Sequence, residues 1–278
     1  MNYKNFNYHI TDRCNFHCQY CFGKFIGRSE LPLEDAKKIV DNMYAYFLEE
    51  NIPDGKINFA GGEPLLYPYL DELVLYAHSL GIKVSLVTNG SLLTSKRIRL
   101  WCGIVDCIGI SIDSLSSSTN CSIGRCDNQM PQNTEQLVAI AKVIHECGIQ
   151  LKINTVVSQL NLNEDFSQLY IETRPERIKI FQMHLVKGIN DGAREFAVTK
   201  EEFEEFRKRH QYVKPAPVFE PEGTMENSYL MINPEGFFQL NDNGTYRTLG
   251  DCKTQMLCEI VKGARLDEKK YAIRYTET

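Results

Sequence analysis

Arg13-Cys14-Asn15-Phe16-His17-Cys18-Gln19-Tyr20-Cys21 sets three thiols into eight residues with the spacing C-x3-C-x2-C. In a helix Cys14 and Cys21 would stand roughly 10 Å apart along the axis, at about 1.5 Å per residue, too far to converge on one compact centre. The segment is therefore read as a loop that curls. Soft thiolates select iron–sulfur, zinc or copper(I), and a closed structural zinc site needs four ligands. Three thiols with no fourth close by suit a four-iron, four-sulfur cube that keeps one iron open. A zinc site completed by His9 or His17, or three unrelated buried thiols, would draw on the same residues.

Outward from this loop the chain alternates. Phe6 to Ile10 reads as a strand entering the loop, and Pro32 to Glu50 as a helix with Ala36, Ile39, Val40, Met43 and Phe47 on one face. Lys56 to Ala60, Lys83 to Thr88, Val105 to Ile112, Leu151 to Val157 and Arg177 to Phe181 read as further strands, with helices starting near Tyr69, Ser95 and Thr134. That order is the pattern of repeated βαβ units and a parallel sheet. The expected fold is α/β, a partial (β/α)6 TIM-like barrel over residues 1–187, with its site at one rim and in the lumen. Residues 188–278 are expected to form a C-terminal extension that closes the substrate site. There Lys200 to His210 reads as a charged helix, Ser228 to Ile232 and Phe237 to Leu240 as strands around a Pro234-Glu235-Gly236 turn, and the stretch after Cys252 as a helix and tail. The polar run from Ser114 to Asn133 reads as a long loop.

At 278 residues, 43% hydrophobic and 24% charged, the composition is that of an ordinary globular protein. A formal charge of −5 argues against a broad nucleic-acid-binding face. No run of 18 apolar residues and no signal-peptide order is found, so no membrane span is expected and the protein is read as cytoplasmic. Ten cysteines, three of which make sense only as reduced ligands, point to a reducing compartment. Cys102, Cys107, Cys121, Cys126 and Cys147 are read as scattered buried thiols, and Cys252 with Cys258 as too few for a second centre.

Three strands share one polar phase. In Lys56-Ile57-Asn58-Phe59-Ala60, Lys152-Ile153-Asn154-Thr155 and Arg177-Ile178-Lys179-Ile180, cations and amides take one face and branched apolar residues the other. The apolar face should meet the helices, which leaves Lys56, Asn58, Lys152, Asn154, Arg177 and Lys179 inside the barrel; the opposite phase would put them in water. Barrel lumens are normally filled by branched apolar side chains. A lumen of cations without matching acids requires an anion, because unpaired buried charge is costly, and a triphosphate would satisfy the set. Arg125, in an Ile123-Gly124-Arg125 turn, is a candidate for one more contact.

Gly61-Gly62-Glu63-Pro64 follows a strand directly, so its glycines can let backbone approach a ligand while Glu63 presents a carboxylate. With the Cys loop, in which Tyr20 precedes the last Cys, this turn resembles the radical S-adenosylmethionine superfamily. The resemblance implies a [4Fe-4S] cluster on Cys14, Cys18 and Cys21, whose open iron chelates S-adenosylmethionine. Electron transfer from the reduced cluster then yields a 5′-deoxyadenosyl radical that takes hydrogen from substrate. Tyr20, Gly61, Gly62, Glu63, Asn89, Ser111 and Asn154 would contact the cosubstrate, and a flavodoxin or ferredoxin would supply electrons.

Asn7-Tyr8-His9, Lys56-Ile57-Asn58-Phe59, Asn89-Gly90-Ser91-Leu92, Ile123-Gly124-Arg125, Lys152-Ile153-Asn154, Arg177-x-Lys179-x-Phe181-Gln182 and Ser228-Tyr229-Leu230 occur in the order found in the viperin family. This resemblance runs from about residue 5 to residue 240. It implies conversion of a ribonucleoside triphosphate to its 3′-deoxy-3′,4′-didehydro analogue, by 4′-hydrogen abstraction and loss of the 3′ hydroxyl, in antiviral defence. Asn7, His9, Lys56, Arg125, Lys152, Arg177 and Lys179 would surround the nucleotide, and Tyr229 would donate a hydrogen atom late in the reaction. The chain departs from the family at Ala60, where a serine is usual, and at Cys121 and Cys126, which flank the Arg125 turn. Its start resembles the compact prokaryotic members, so the membrane helix of vertebrate members is not expected. A monomer is expected. A triphosphate anchor is indifferent to the base, so the nucleobase stays open, and a GTP-cyclising or peptide-modifying radical enzyme and a cluster-bearing scaffold are the competing readings.

Overall fold

The computed structural model describes residues 3–23, 30–128 and 130–275; the end of the tail read after Cys252 lies outside the described residues. In chain order, β1 (Asn5–Thr11) leads into the Cys loop and is followed by α1 (Leu33–Glu49), β2 (Lys56–Gly61), α2 (Leu70–Ser79), β3 (Lys83–Thr88), α3 (Ser95–Leu100) and β4 (Cys107–Ser111). Next come α4 (Ser117–Ile123), β5 (Cys126–Asp127), β6 (Met130–Pro131), α5 (Thr134–Glu146), β7 (Gln150–Val157), α6 (Ser167–Thr173) and β8 (Arg177–Gln182). The chain ends with α7 (Lys200–His210), β9 (Val218–Glu220), β10 (Met231–Ile232), β11 (Phe237–Asp242), β12 (Thr245–Asp251), α8 (Leu257–Lys262) and α9 (Glu268–Tyr275).

The residues gather into two compact units, one of Met1–Cys14, Phe25–Leu86 and Thr224–Thr278, the other of Asn15–Lys24 and Val87–Gly223. In the first, the strand order is β12-β11-β10-β1-β2-β3. There β1 pairs in parallel with β2 and β10, β2 with β3, and the β10–β11–β12 meander is antiparallel. The second carries the parallel order β4-β7-β8-β9. Helix α1 forms because its apolar residues recur at helical spacing, and Ala36, Ile39, Val40, Met43 and Phe47 are all buried. That stripe covers β1, where the Phe6 ring stands 5.7 Å from Phe47 and 5.2 Å from Tyr46.

Strand faces follow the phase expected from the sequence. Ile57, Phe59, Ile153, Ile178 and Ile180 are fully buried, while Lys56, Asn58, Lys152 and Arg177 keep part of their surface open. Parallel register then lines the polar residues into rows. Asn7 lies beside Asn58 and Asn58 beside Ser85 in the first unit, and Lys152 beside Arg177 and Asn154 beside Lys179 in the second. The first row is bonded sideways: Asn58 Nδ2 donates to Asn7 Oδ1 at 3.0 Å, and Ser85 Oγ donates to Asn58 Oδ1 at 2.9 Å.

Three expectations are corrected. Residues 114–133 are not one loop, because Ser116 caps α4 by accepting from Thr119 N, Gly124 ends it at φ 88°, and β5 and β6 form a small hairpin. Cys102 and Cys147 are not separate buried thiols but a disulfide with Cα atoms 5.0 Å apart, joining the C-terminal ends of α3 and α5, and Cys121 is exposed. Helix α6 and strand β9 were not foreseen, and both are short. Cys252 and Cys258 are buried, and burial pushes the Cys252 thiol up to about 12, so it is protonated at neutral pH. Among the described residues no helix is long and apolar enough to cross a membrane.

Candidate functional site

Cys14, Cys18 and Cys21 are half-buried thiols outside any disulfide, in a segment without regular helix, as the spacing requires. The end of α4 fastens the loop: His17 N donates to Gly124 O at 2.9 Å and Gln19 N to Ile123 O at 2.9 Å. A Cβ on Gly124 would lie 2.3 Å from His17 O, so the close approach and the left-handed φ both call for glycine. Asn15 adds a side-chain tie, donating to Ser91 Oγ at 2.9 Å and Asp127 Oδ2 at 3.0 Å and accepting from Asn89 Nδ2 at 3.0 Å. Asn89 Oδ1 also accepts from Ser91 N at 2.9 Å, so this amide builds the turn after β3.

The Gly61-Gly62-Glu63 turn is fastened to the entrance of the same loop. Gly62 N donates to Thr11 O at 2.8 Å and Glu63 N to Arg13 O at 2.7 Å. Cβ atoms on Gly61 and Gly62 would lie 2.3 Å from Thr11 O and 2.2 Å from Arg13 O. The missing side chains therefore make room for the chain's own backbone. Glu63 is fully buried and accepts from Leu65 N at 3.1 Å, which caps the following turn.

Asp113, which the sequence reading passed over, organises a second cluster. Its Oδ2 accepts from Tyr20 OH at 3.0 Å and from Arg125 Nη1 at 2.8 Å, and the Arg125 and Asp113 side chains are only 6% and 2% exposed. Arg125 Nη1 also reaches Cys18 Sγ at 3.9 Å, and Nη2 donates to Ser111 O at 2.6 Å. Burial, and then the charge of Asp113, push the Tyr20 phenol well above its ordinary range. The signal was present: Asp113 stands two residues after Ser111, on the polar side of the β4 alternation.

The anion-requiring lumen is corrected in one respect. Lys179 is not short of an acid: Glu220, from β9, accepts from its Nζ at 2.5 Å, with side chains 7% and 2% exposed. Asn154, paired with Lys179 along the row, leaves its Oδ1 buried with no hydrogen-bond partner. At the other candidate centre Tyr229 OH lies 3.1 Å from His9 Nε2, and the Arg274 guanidinium stands 4.8 Å from the centre of its ring. Asn7 Nδ2 donates to Tyr275 OH at 2.8 Å and Leu230 O at 3.1 Å. Burial lowers the His9 pKa to about 4, so the ring is neutral. Arg274 comes from α9, in a stretch where the sequence offered only helical spacing.

Three soft thiols outside any disulfide in one loop, an Arg hydrogen bond to one sulfur and an orphaned buried amide oxygen fit a sulfur-ligated cluster with a polar cosubstrate. Among the described residues no three His, Cys, Asp or Glu side chains close on a single metal ion. A cube does not ask them to, since each thiolate takes a different iron.

A sequence model of the Radical SAM superfamily matches residues 8–170. The S-adenosylmethionine-dependent nucleotide dehydratase of Flammeovirga pacifica is 37% identical over 248 residues, which cover 86% of this chain and 83% of that protein. The S-adenosylmethionine-dependent nucleotide dehydratase RSAD2 of Danio rerio is 31% identical over 279 residues, 96% of this chain and 76% of that protein. Among solved structures, Streptococcus suis SuiB bound to S-adenosylmethionine superposes with a TM-score of 0.69 at 18% identity, covering 98% of this chain and 68% of that one. That likeness shows the fold, the partial (β/α) barrel of radical SAM enzymes. The chain belongs to the radical SAM superfamily and, within it, to the S-adenosylmethionine-dependent nucleotide dehydratases, the viperin family.

Proposed function

We propose that this protein converts a ribonucleoside triphosphate to its 3′-deoxy-3′,4′-didehydro analogue by removal of the ribose 4′ hydrogen and loss of the 3′ hydroxyl, in antiviral defence. The observation that carries this reading is the row Lys152–Arg177 and Asn154–Lys179, cations and amides aligned on one strand face over a fully buried aliphatic face. Cys14, Cys18 and Cys21 would hold a [4Fe-4S] cluster, with Tyr20, Gly61, Gly62, Glu63, Asn89, Ser111 and Asn154 as the candidate residues around S-adenosylmethionine. When bound, these groups supply a carbon radical able to take a hydrogen atom from the sugar.

The remaining tasks fall to the chain. The candidates for nucleotide binding are Asn7, His9 and Lys56 in the first unit and Arg125, Lys152, Arg177 and Lys179 in the second. A multi-point phosphate anchor holds the sugar still for a reaction that depends on position. Tyr229, in the C-terminal extension of residues 188–278 beyond a barrel core of residues 1–187, is assigned to reduce the sugar after the hydroxyl has left. We further propose that the protein works as a cytoplasmic monomer fed by a flavodoxin or ferredoxin.

The test is incubation of the anaerobically reconstituted, reduced protein with S-adenosylmethionine and each nucleoside triphosphate in turn. The expected product is the nucleotide less one water, unsaturated between C3′ and C4′. A fused-ring purine would instead mark a GTP cyclase, and no nucleotide product from any of the four would mark a peptide modifier or a scaffold.

A further inference from the structure

Electron counting defines what Tyr229 has to give. Removing the 4′ hydrogen atom and then the 3′ group as hydroxide leaves a sugar short of one electron, with every hydrogen of the product already in place. A whole hydrogen atom would leave one proton too many. Tyr229 must therefore part its O–H bond into an electron for the sugar and a proton for some other acceptor. The group at hand is His9, whose Nε2 lies 3.1 Å from the phenol oxygen, within β1 and 3% exposed. Its ring is neutral, because burial lowers its pKa to about 4, so one ring nitrogen has a lone pair to offer. Arg274, 4.8 Å over the tyrosine ring, opposes positive charge there, so the electron has to leave together with the proton.

We propose that His9 is the proton acceptor of Tyr229: as the phenol passes one electron to the sugar, its proton moves to His9 Nε2. This rests on the role given to Tyr229 above. The departed hydroxide takes a proton from solvent and becomes water, and the proton on His9 is kept for the return of the tyrosine. The tyrosyl radical is returned to tyrosine by one electron from a reduced flavodoxin or ferredoxin and the proton held on His9. His9 is also among the nucleotide-binding candidates named above, so the test has to separate that contact from proton transfer.

His9→Gln separates a proton acceptor from a mere hydrogen-bond partner, since an amide can hold the phenol but cannot take its proton. The expected result is a ratio of unsaturated nucleotide to 5′-deoxyadenosine lowered by about 10²-fold, read as a ratio so that any change in nucleotide binding cancels. In His9→Ala, added imidazole should restore part of the product. An unchanged ratio of product to 5′-deoxyadenosine in His9→Gln would overturn the proposal. Should these variants misfold, ¹⁵N NMR of the full chain still decides: Nε2 of His9 must carry no proton, and a protonated Nε2 at neutral pH overturns the assignment. Tyr229→Phe locates any failure. Loss of product in Tyr229→Phe but not in His9→Gln defeats this inference alone, whereas full product from Tyr229→Phe defeats the role of Tyr229 and this inference with it.

Discussion

Lys179 has an observed partner, Glu220, and a proposed one, the nucleotide phosphate, and only its place on the strand was visible in the sequence. Its position on the polar face of β8 follows from strand alternation, with Ile178 and Ile180 buried on the other side. Its acid does not, because Glu220 lies 41 residues further on and no local pattern pairs them. The same holds for Arg125 and Asp113, 12 residues apart across α4. Lys179→Ala should therefore do more than weaken nucleotide binding. It strands the Glu220 carboxylate in a site 2% exposed, and breaking a buried pair in this way costs about 3–5 kcal/mol. The Lys179→Met, Glu220→Gln double variant removes both charges and should regain most of that stability in urea unfolding. Its KM for the nucleotide should stay raised, since the proposed phosphate contact would still be gone. A double variant that recovered KM together with stability would show that Lys179 serves the fold and not the nucleotide.

At the scale of elements, the segment read as one long loop is a helix and hairpin that fasten the thiol loop. Ser, Thr and Asn dominate α4, and these residues compete with helix formation through their own side chains, so no helical period shows. The signals that fix it are local: Ser116 at the N-cap, and Gly124 at the left-handed stop. Gly124 offers a controlled comparison with Gly103, which also has positive φ, 74° against 88°, but would meet nothing within 4 Å if given a Cβ. Gly103→Ala should cost only the backbone term, roughly 1–2 kcal/mol. Gly124→Ala adds a clash with His17 O that only movement of the Cys loop relieves. Iron bound per chain after anaerobic loading should fall in Gly124→Ala and hold in Gly103→Ala, while far-ultraviolet circular dichroism stays the same for both. Equal iron in the two variants would mean that α4 does not set the loop.

For the molecule as a whole, the alternation of strands and helices was legible because burial imposes periods of 2 and 3.6 on the sequence. The return of β10 to lie parallel beside β1 was not, since Asn7 and Met231 meet across most of the chain and neither carries a mark of the other. That return is also what brings Tyr229 to His9, and it ties a site residue to global stability through pH. His9 has a folded pKa of about 4 against an ordinary 6.5, the charged form being penalised by burial. The unfolded chain therefore takes up a proton as pH falls below 6.5, and the folded chain does not until about 4. Stability is full above pH 6.5 and is lost progressively down to about pH 4, by on the order of 3 kcal/mol from this residue. His210 adds to the loss in the same direction, because burial lowers its pKa too, and its Nε2 accepts from Phe166 N at 3.1 Å, a bond that protonation would break. Urea unfolding followed at a series of pH values should show this decline. In His9→Gln, which has nothing to protonate at that position, the decline should be shallower by the His9 share and the His210 share should persist. An identical slope in the two proteins would mean that His9 is charged or exposed in the folded state, and a charged imidazole has no lone pair left with which to receive the Tyr229 proton.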